Sequence, residues 1–334
     1  MGITGLLPQL KSVTKTISIG ELKGKRVAVD ANVWIHRGTY ACAVDLVLGK
    51  PTDVYVMYCR KMCLKLREFG IFPVLVFDGH ALPAKAITSR QREGNRASAR
   101  RNLDENIDAL HRLEARAEST PGDVALQSDL GVARVAVERA AQTAVEVTAD
   151  MVERVISVCG ALEGVEVLRA PYEADAQLAY LARERLVDAV LTEDSDLVVH
   201  ACPKVLYKFD PHSATAQQLL WKDVLAMEAT PKSKLSLSKF SLKGFTKQKF
   251  MHMCLLVGAD YLEGIKGIGM IKANELISKF GHGLRVVEHL KANGTKGIKV
   301  PDGYEQKFRE AEVPSAAQRD RLMSASIPVP HEHG

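Results

Sequence analysis

The residues with the clearest capacity for chemistry in this chain are carboxylates. Three short apolar runs each end in an acid: KGKRVAVD at Asp30, GIFPVLVFD at Asp78 and VDAVLTED at Asp194. Glu173 and Asp175 stand in APYEADAQLAY, where a Pro-Tyr turn leads into a helix. Asp196 follows Asp194 in TEDSDL, and Asp260 lies in GADYL just past an apolar helix at 250–257. Glu193 is set aside, because strand alternation aims it away from its neighbours. Acids that share a crevice repel one another unless cations neutralise them. Oxygen donors with no His or Cys among them suit Mg²⁺ or Mn²⁺ better than zinc. Two such ions ~3.5–4 Å apart can activate a water and stabilise the leaving oxygen of an in-line phosphoryl displacement. A lone Asp-x-Asp is common in surface turns, and one strand can end in an acid simply to reach solvent. Tandem EAD and DSD segments behind three acid-ended strands are far more specific.

The elements that must position these acids follow from the hydrophobic pattern. Strands are predicted at 23–30, 70–78, 163–170, 187–194 and 204–209, with helices at 52–69, 84–117, 129–159 and 173–185. Strands alternating with helices predict an α/β fold with a mainly parallel central sheet covered on both faces. In such sheets sites form outside the carboxyl ends of the strands, so each terminal acid is directed at one crevice. Residues 84–150 form a polar, mostly helical excursion, interrupted by a turn or loop at 117–129. It is expected to stand out from the sheet. The segment 231–249 carries Lys232, Lys234, Lys239, Lys243, Lys247 and Lys249 with no acid, and reads as a flexible basic loop.

Composition bounds the rest. A chain of 334 residues with 46% hydrophobic and 25% charged residues can bury a large core in one or two domains. No apolar run is long enough to span a membrane, and the start does not read as a secretory signal. Cys42, Cys59, Cys63, Cys159, Cys202 and Cys254 form no Cys-x-x-Cys pair, which points to reduced buried thiols in an intracellular protein. The net charge of +5 permits a nucleic-acid partner without requiring one. No internal repeat is present.

At greater length the motifs carry a resemblance. MGITGLL, VAVDANVWIHRG, VLVFDGHALPAK, APYEADAQLAYL, LTEDSDL and GADYLEGIKGIG resemble, in order, the structure-specific 5′ nucleases of the flap-endonuclease and exonuclease 1 superfamily. The likeness runs from residue 1 to about 310. WIHRGTYACAVDL, GKPTDVY and the LPAK after FDG favour the exonuclease 1 branch over dedicated flap endonucleases, which usually end in a sliding-clamp-binding peptide.

The resemblance implies a single nuclease domain over 1–310 with a PIN-like core. Within it would lie an N-terminal nuclease region at 1–99, a helical arch at 84–150 and an internal nuclease region at 151–230. A helix–two-turns–helix duplex-binding element would follow at 246–285, with a C-terminal extension at 311–334. It implies that Asp30, Asp78, Glu173, Asp175, Asp194, Asp196 and Asp260 bind two Mg²⁺, with Mn²⁺ able to substitute and Asp260 acting through water. Lys85, Arg92 and Arg96, spaced to share a helix face, would steer the scissile phosphate. On the residues alone, a solvated basic face is an equal reading for these three. His36 matches a ring that stacks on a terminal base, against the plainer reading of a partly buried His. Asn32 stands where relatives often carry a tyrosine, which puts a second stacking contact in doubt. Gly2 would let the amino terminus approach the DNA junction closely.

In GIKGIGMIKAN, Gly264, Gly267, Ile268 and Gly269 match the duplex-gripping turn, where Gly264 and Ile268 could bind K⁺ and Lys266 and Lys272 could contact phosphate. Taken alone, that glycine pattern is often only a tight turn. The implied activity is 5′-to-3′ double-stranded DNA exonuclease with 5′-flap cleavage, in mismatch repair, end resection and recombination, by a nuclear monomer. The 96–150 segment looks longer than in exonuclease 1 relatives, which often continue into a tail that binds mismatch-repair proteins. The rival readings are a dedicated flap endonuclease, a non-catalytic DNA-junction binding module and an acid-rich small-molecule phosphatase.

Overall fold

Runs rich in valine and leucine become strands, as their shape on a pleated surface favours. The computed structural model describes residues 2–80, 86–120, 122–228, 231–233, 236–237, 240–294 and 298–312, with the backbone alone at 86–92, 231–233 and 236–237. The strands are β1 (Lys15–Ser18), β2 (Arg26–Asp30), β3 (Phe72–Phe77), β4 (Glu166–Arg169), β5 (Ala189–Leu191), β6 (Lys204–Asp210), β7 (Thr215–Leu220), β8 (Pro231–Ser233) and β9 (Ser236–Leu237). The helices before β4 are α1 (Leu6–Gln9), α2 (Ala31–Thr39), α3 (Ala43–Val47), α4 (Val54–Glu68), α5 (Ala86–Ser119), α6 (Val124–Ala144) and α7 (Ala149–Gly160). After it come α8 (Ala174–Arg183), α9 (Asp196–Val199), α10 (Trp221–Leu225), α11 (Lys247–Val257), α12 (Met270–Phe280), α13 (Gly283–Asn293) and α14 (Tyr304–Glu312).

The chain folds as two units, Met1–Asp30 with Lys65–Lys85 and Gly164–Gly334, and Ala31–Leu64 with Ala86–Glu163. The first holds the seven-stranded sheet, ordered β1-β7-β6-β5-β2-β3-β4. β4, β3, β2, β5 and β6 are mutually parallel, while β7 pairs antiparallel with both β6 and β1. One face carries Ala28, Val74, Val190 and Val205, which share a core with Leu178 and Ala179 of α8 and Phe250, Met253 and Cys254 of α11. The parallel centre predicted from sequence is present. The antiparallel edge was not predicted, because KTIS and TAQQLL are short and polar and gain strand status from pairing with one another.

Two predicted elements need correction. The helix expected at 129–159 is broken at 145–148, where β-branched residues are poor helix formers. There Thr148 caps α7 by accepting from the Met151 N–H at 3.3 Å. The basic loop expected at 231–249 is partly regular. It contains the β8–β9 pair, and Lys247 and Lys249 already belong to α11, whose N-cap Thr246 accepts from the Lys249 N–H at 3.2 Å. A good cap and the apolar run that follows outweigh the charge of two lysines.

The second unit is built on α5, a 34-residue helix that packs along α6. Its core gathers Leu103, Val137, Ala140 and Ala141 with Ala43 and Val47 of α3. All six cysteines are free and buried. Among the described residues, no helix is long and apolar enough to cross a membrane.

In the first unit His252 of α11 is 0% exposed and joins three helices. Its Nδ1 accepts from the Gly283 N–H at 3.2 Å, its Nε2 pairs with Glu312 of α14, and its ring stacks edge-on to His282 and Phe308. Burial lowers its pKa from the ordinary 6.5, against the opposing pull of Glu312. The unfolded chain therefore takes up the proton first as pH falls, and stability is lost between about 6.5 and the lowered folded value. Denaturant titrations of the wild type from pH 8 to pH 5 should show this decline, and His252→Gln should flatten it; equal slopes would disprove it.

Candidate metal centre

The strand ends deliver the acids as parallel topology requires. Asp30 closes β2, Asp78 follows β3, and Asp194 lies three residues past β5. Thr192 ties two of these ends together: its Oγ1 donates to Asp30 Oδ2 at 2.9 Å and accepts from the Asp194 N–H at 3.0 Å. Asp194 Oδ1 in turn accepts from the Asp196 N–H at 3.0 Å, fixing the start of α9. Asp78 Oδ1 accepts from the Ala174 N–H at 2.7 Å, which docks the start of α8 against the end of β3. That contact places Glu173 at the N-cap of α8 and Asp175 in its first turn, where the helix dipole favours negative charge.

One carboxylate oxygen from each of Asp175, Asp194 and Asp196 lies within 4.8 Å of the others. Glu173 accepts from the Tyr261 hydroxyl, and burial together with Glu173 holds that phenol protonated. Asp260 precedes Tyr261 in the turn closed by the Ala259–Leu262 bridge, so this tyrosine links its loop to α8. Glu193 does face away, accepting from the Lys208 N–H at 2.9 Å.

Glycine is required at two points around the acids. A Cβ on Gly79 would lie 1.9 Å from the Ala170 carbonyl oxygen. Gly2 has φ +90, and a Cβ there would lie 2.2 Å from Ser195 Oγ and 2.3 Å from Asp194 Oδ1. The Ile3 N–H also donates to Ser195 Oγ at 2.7 Å, so Gly2 and Ile3 are pinned beside Asp194 and Ser195. Sequence reasoning singled out Gly2 but passed over Thr192, Ser195 and Tyr261. Their signal was adjacency to the acids, and nothing local distinguishes them from ordinary polar residues.

In the duplex-binding candidate, α11 and α12 flank the turn 258–269. Gly264 packs on the end of α11, where a Cβ would meet the Val257 carbonyl at 1.9 Å. The Ile268 side chain is buried, Lys266, Gly267 and Gly269 are exposed, and Lys272 is half-buried on α12. The remaining candidates belong to the other unit or lie outside the described residues. His36 is exposed on α2. Arg96 lies on α5, with its Nη1 3.3 Å from Glu146 Oε1, one helical turn after Arg92, whose backbone alone is described. Lys85 lies outside the described residues.

The comparisons agree with this architecture. Residues 1–99 match the XPG N-terminal domain and residues 164–260 the XPG I-region. Exonuclease 1 of Arabidopsis thaliana is 36% identical over 319 residues, covering 96% of this chain and 38% of that protein. Exonuclease 1 of Xenopus laevis is 35% identical over 317 residues, covering 93% and 38%. The chain thus spans well under half the length of these relatives. The catalytic core of Rad2 in complex with DNA substrate shares the fold at TM-score 0.59 and 22% identity, covering 94% of this chain and 81% of that one. An acid-ended parallel sheet with both XPG regions in order defines the class, and the chain belongs to the XPG family. Its homologues there, at 35–36% identity, are exonuclease 1 proteins.

Gly2→Ala tests the packing of Gly2 and Ile3 against Asp194 and Ser195. The overlap and the positive φ should cost about 1–3 kcal/mol in chemical denaturation and weaken Mn²⁺ binding measured by calorimetry. Unchanged cation affinity would show that the terminus does not bear on the acids.

Proposed function

We propose that this chain is a divalent-cation-dependent nuclease that removes nucleotides from the 5′ end of duplex DNA, with 5′-flap cleavage as a second activity. The observation that carries this reading is the convergence of Asp175, Asp194 and Asp196 at the carboxyl end of the sheet. Two carboxylates 4 Å apart repel by about 4 kcal/mol at an effective dielectric of ~20, so the cluster is built for positive charge. The donor set is oxygen throughout, which fits Mg²⁺ or Mn²⁺. Asp30, Asp78, Glu173, Asp175, Asp194 and Asp196 would hold two such ions, with Asp260 acting through water. Bound there, the ions supply an activated water at neutral pH and offset charge on the leaving oxygen.

The chain's own residues do the positioning. Thr192 holds Asp30 and the Ala174 N–H holds Asp78 before substrate arrives, which limits reorganisation of these two acids during the reaction. Lys85, Arg92 and Arg96 are assigned to the scissile phosphate, and His36 to stacking on the terminal base. Gly2 brings the amino terminus to the junction. Gly264, Gly267, Ile268 and Gly269 would grip the uncut duplex through backbone groups, with K⁺ at Gly264 and Ile268 and phosphate contacts from Lys266 and Lys272. The similarity to exonuclease 1 supports a nuclear role in mismatch repair, end resection and recombination, as a monomer whose mismatch-repair partners bind a further tail.

The test is a time course on duplex labelled at the 5′ or the 3′ end and recessed at the 5′ end, with Mg²⁺, with EDTA and with Asp194→Ala. Release of 5′ label should require Mg²⁺ and disappear in EDTA. Asp194→Ala should lose more than the ~10–100-fold that removal of a supporting residue costs. Cleavage confined to a 5′-flap substrate would instead assign a dedicated flap endonuclease, and tight binding without cleavage a junction-binding module.

A further inference from the structure

Three sheet residues share one row beneath the acid cluster. Val29 pairs with Leu191 and Leu191 with Leu206, so the next residue of each strand, Asp30, Thr192 and Tyr207, stands level on the same face at the carboxyl edge. Asp30 and Thr192 are hydrogen-bonded to each other. The backbone holds Tyr207 against the same segment from both sides: the Thr192 N–H donates to the Leu206 carbonyl at 3.0 Å, and the Lys208 N–H donates to Glu193 at 2.9 Å.

The Tyr207 ring is 3% exposed and lies in the core shared with Leu197, Val198 and Cys254. Its hydroxyl is buried and, among the described residues, has no hydrogen-bond partner. Buried polar groups are paired in the great majority of cases, and a phenylalanine would fill this position with no such defect. The hydroxyl therefore needs a reason. Burial keeps the phenol protonated, and Cys202, Asp194, Asp196 and Asp175 push in the same direction. At neutral pH the group is a donor in the field of acids that can only accept.

We infer that Tyr207 is a positioning residue for the proposed cation site, its buried O–H donating to a carboxylate of the Asp175, Asp194 and Asp196 cluster once a cation has drawn those acids in. The inference rests on the nuclease reading above, because it assumes that the cluster binds divalent ions. Outer-shell donors of this kind orient ligands and raise metal affinity. Tyr207 acts through the acids and touches neither substrate nor the reacting atoms.

Tyr207→Phe removes the hydroxyl and keeps the ring. Equilibrium Mn²⁺ binding, read from the electron paramagnetic resonance of free Mn²⁺ in the absence of DNA, should show Kd raised about tenfold. Tm in EDTA should stay the same or rise, since the cation-free protein loses only an unpaired group. An unchanged Kd overturns the inference, as does a Tm in EDTA that falls while Kd stays constant, the mark of a merely structural hydroxyl. The full chain and Asp194→Ala are measured alongside. If the full chain binds no Mn²⁺, or if Asp194→Ala binds as well, the cation site fails and this inference falls with it. Binding by the full chain that Tyr207→Phe matches removes the inference alone.

Discussion

Carboxylates held close together against their own repulsion are the constraint on which the first unit is organised. Asp175, Asp194 and Asp196 converge within 4.8 Å, and the surrounding structure answers with donors from neutral groups. The Ala174 N–H, the Asp196 N–H, the Thr192 hydroxyl and the Tyr261 hydroxyl each bind one acid and so hold it in place. None of these donors carries a charge that would compete with a cation. The acids are fixed in direction while their collective negative field is kept, which is the condition for binding hard divalent ions.

The parallel sheet makes this arrangement economical. Strands running the same way end at the same edge, so acids from distant parts of the chain meet without long loops to carry them. Helix α8 then starts over that edge, and its first turn brings Glu173 and Asp175 with their charge at the favourable end of the dipole. The close approach of Gly79 to the Ala170 carbonyl allows β3 to pass directly from strand to site. The Gly258 and Gly264 turn does the same for the loop that carries Asp260, by folding back on the end of α11.

The second unit follows a different logic. The α5 helix is polar along most of its length and buries few side chains against α6 and α3. Among the described residues Arg100, Arg101, Arg112 and Arg116 are exposed and Arg96 is half-buried, and ion pairs such as Arg96 with Glu146 are solvated contacts of small individual worth. Such pairs exchange partners at little cost, which suits residues assigned to an anionic substrate. The core beneath the acids, by contrast, is apolar and closely packed, and the Tyr207 hydroxyl, without a partner among the described residues, stands out against it.

By itself the sequence determined the parallel strands β2, β3 and β5 and the acids at or just past their ends, because apolar runs ending in Asp30, Asp78 and Asp194 are local patterns. It also determined the family, because the motifs around those acids are long and occur in order. Helices with good caps and apolar faces, α8 and α11 among them, were readable within a few residues. Only the tertiary structure decided what supports the acids. Tyr261 meets Glu173 across 88 residues and the Ile3 N–H meets Ser195 across 192, and no local pattern encodes such a pairing. The antiparallel edge of β1 and β7 was hidden for the same reason: a short polar segment becomes a strand when another strand supplies its hydrogen bonds. The placement of Tyr207 level with Asp30 and Thr192 depends on the register of three strands, and register is a property of the assembled sheet.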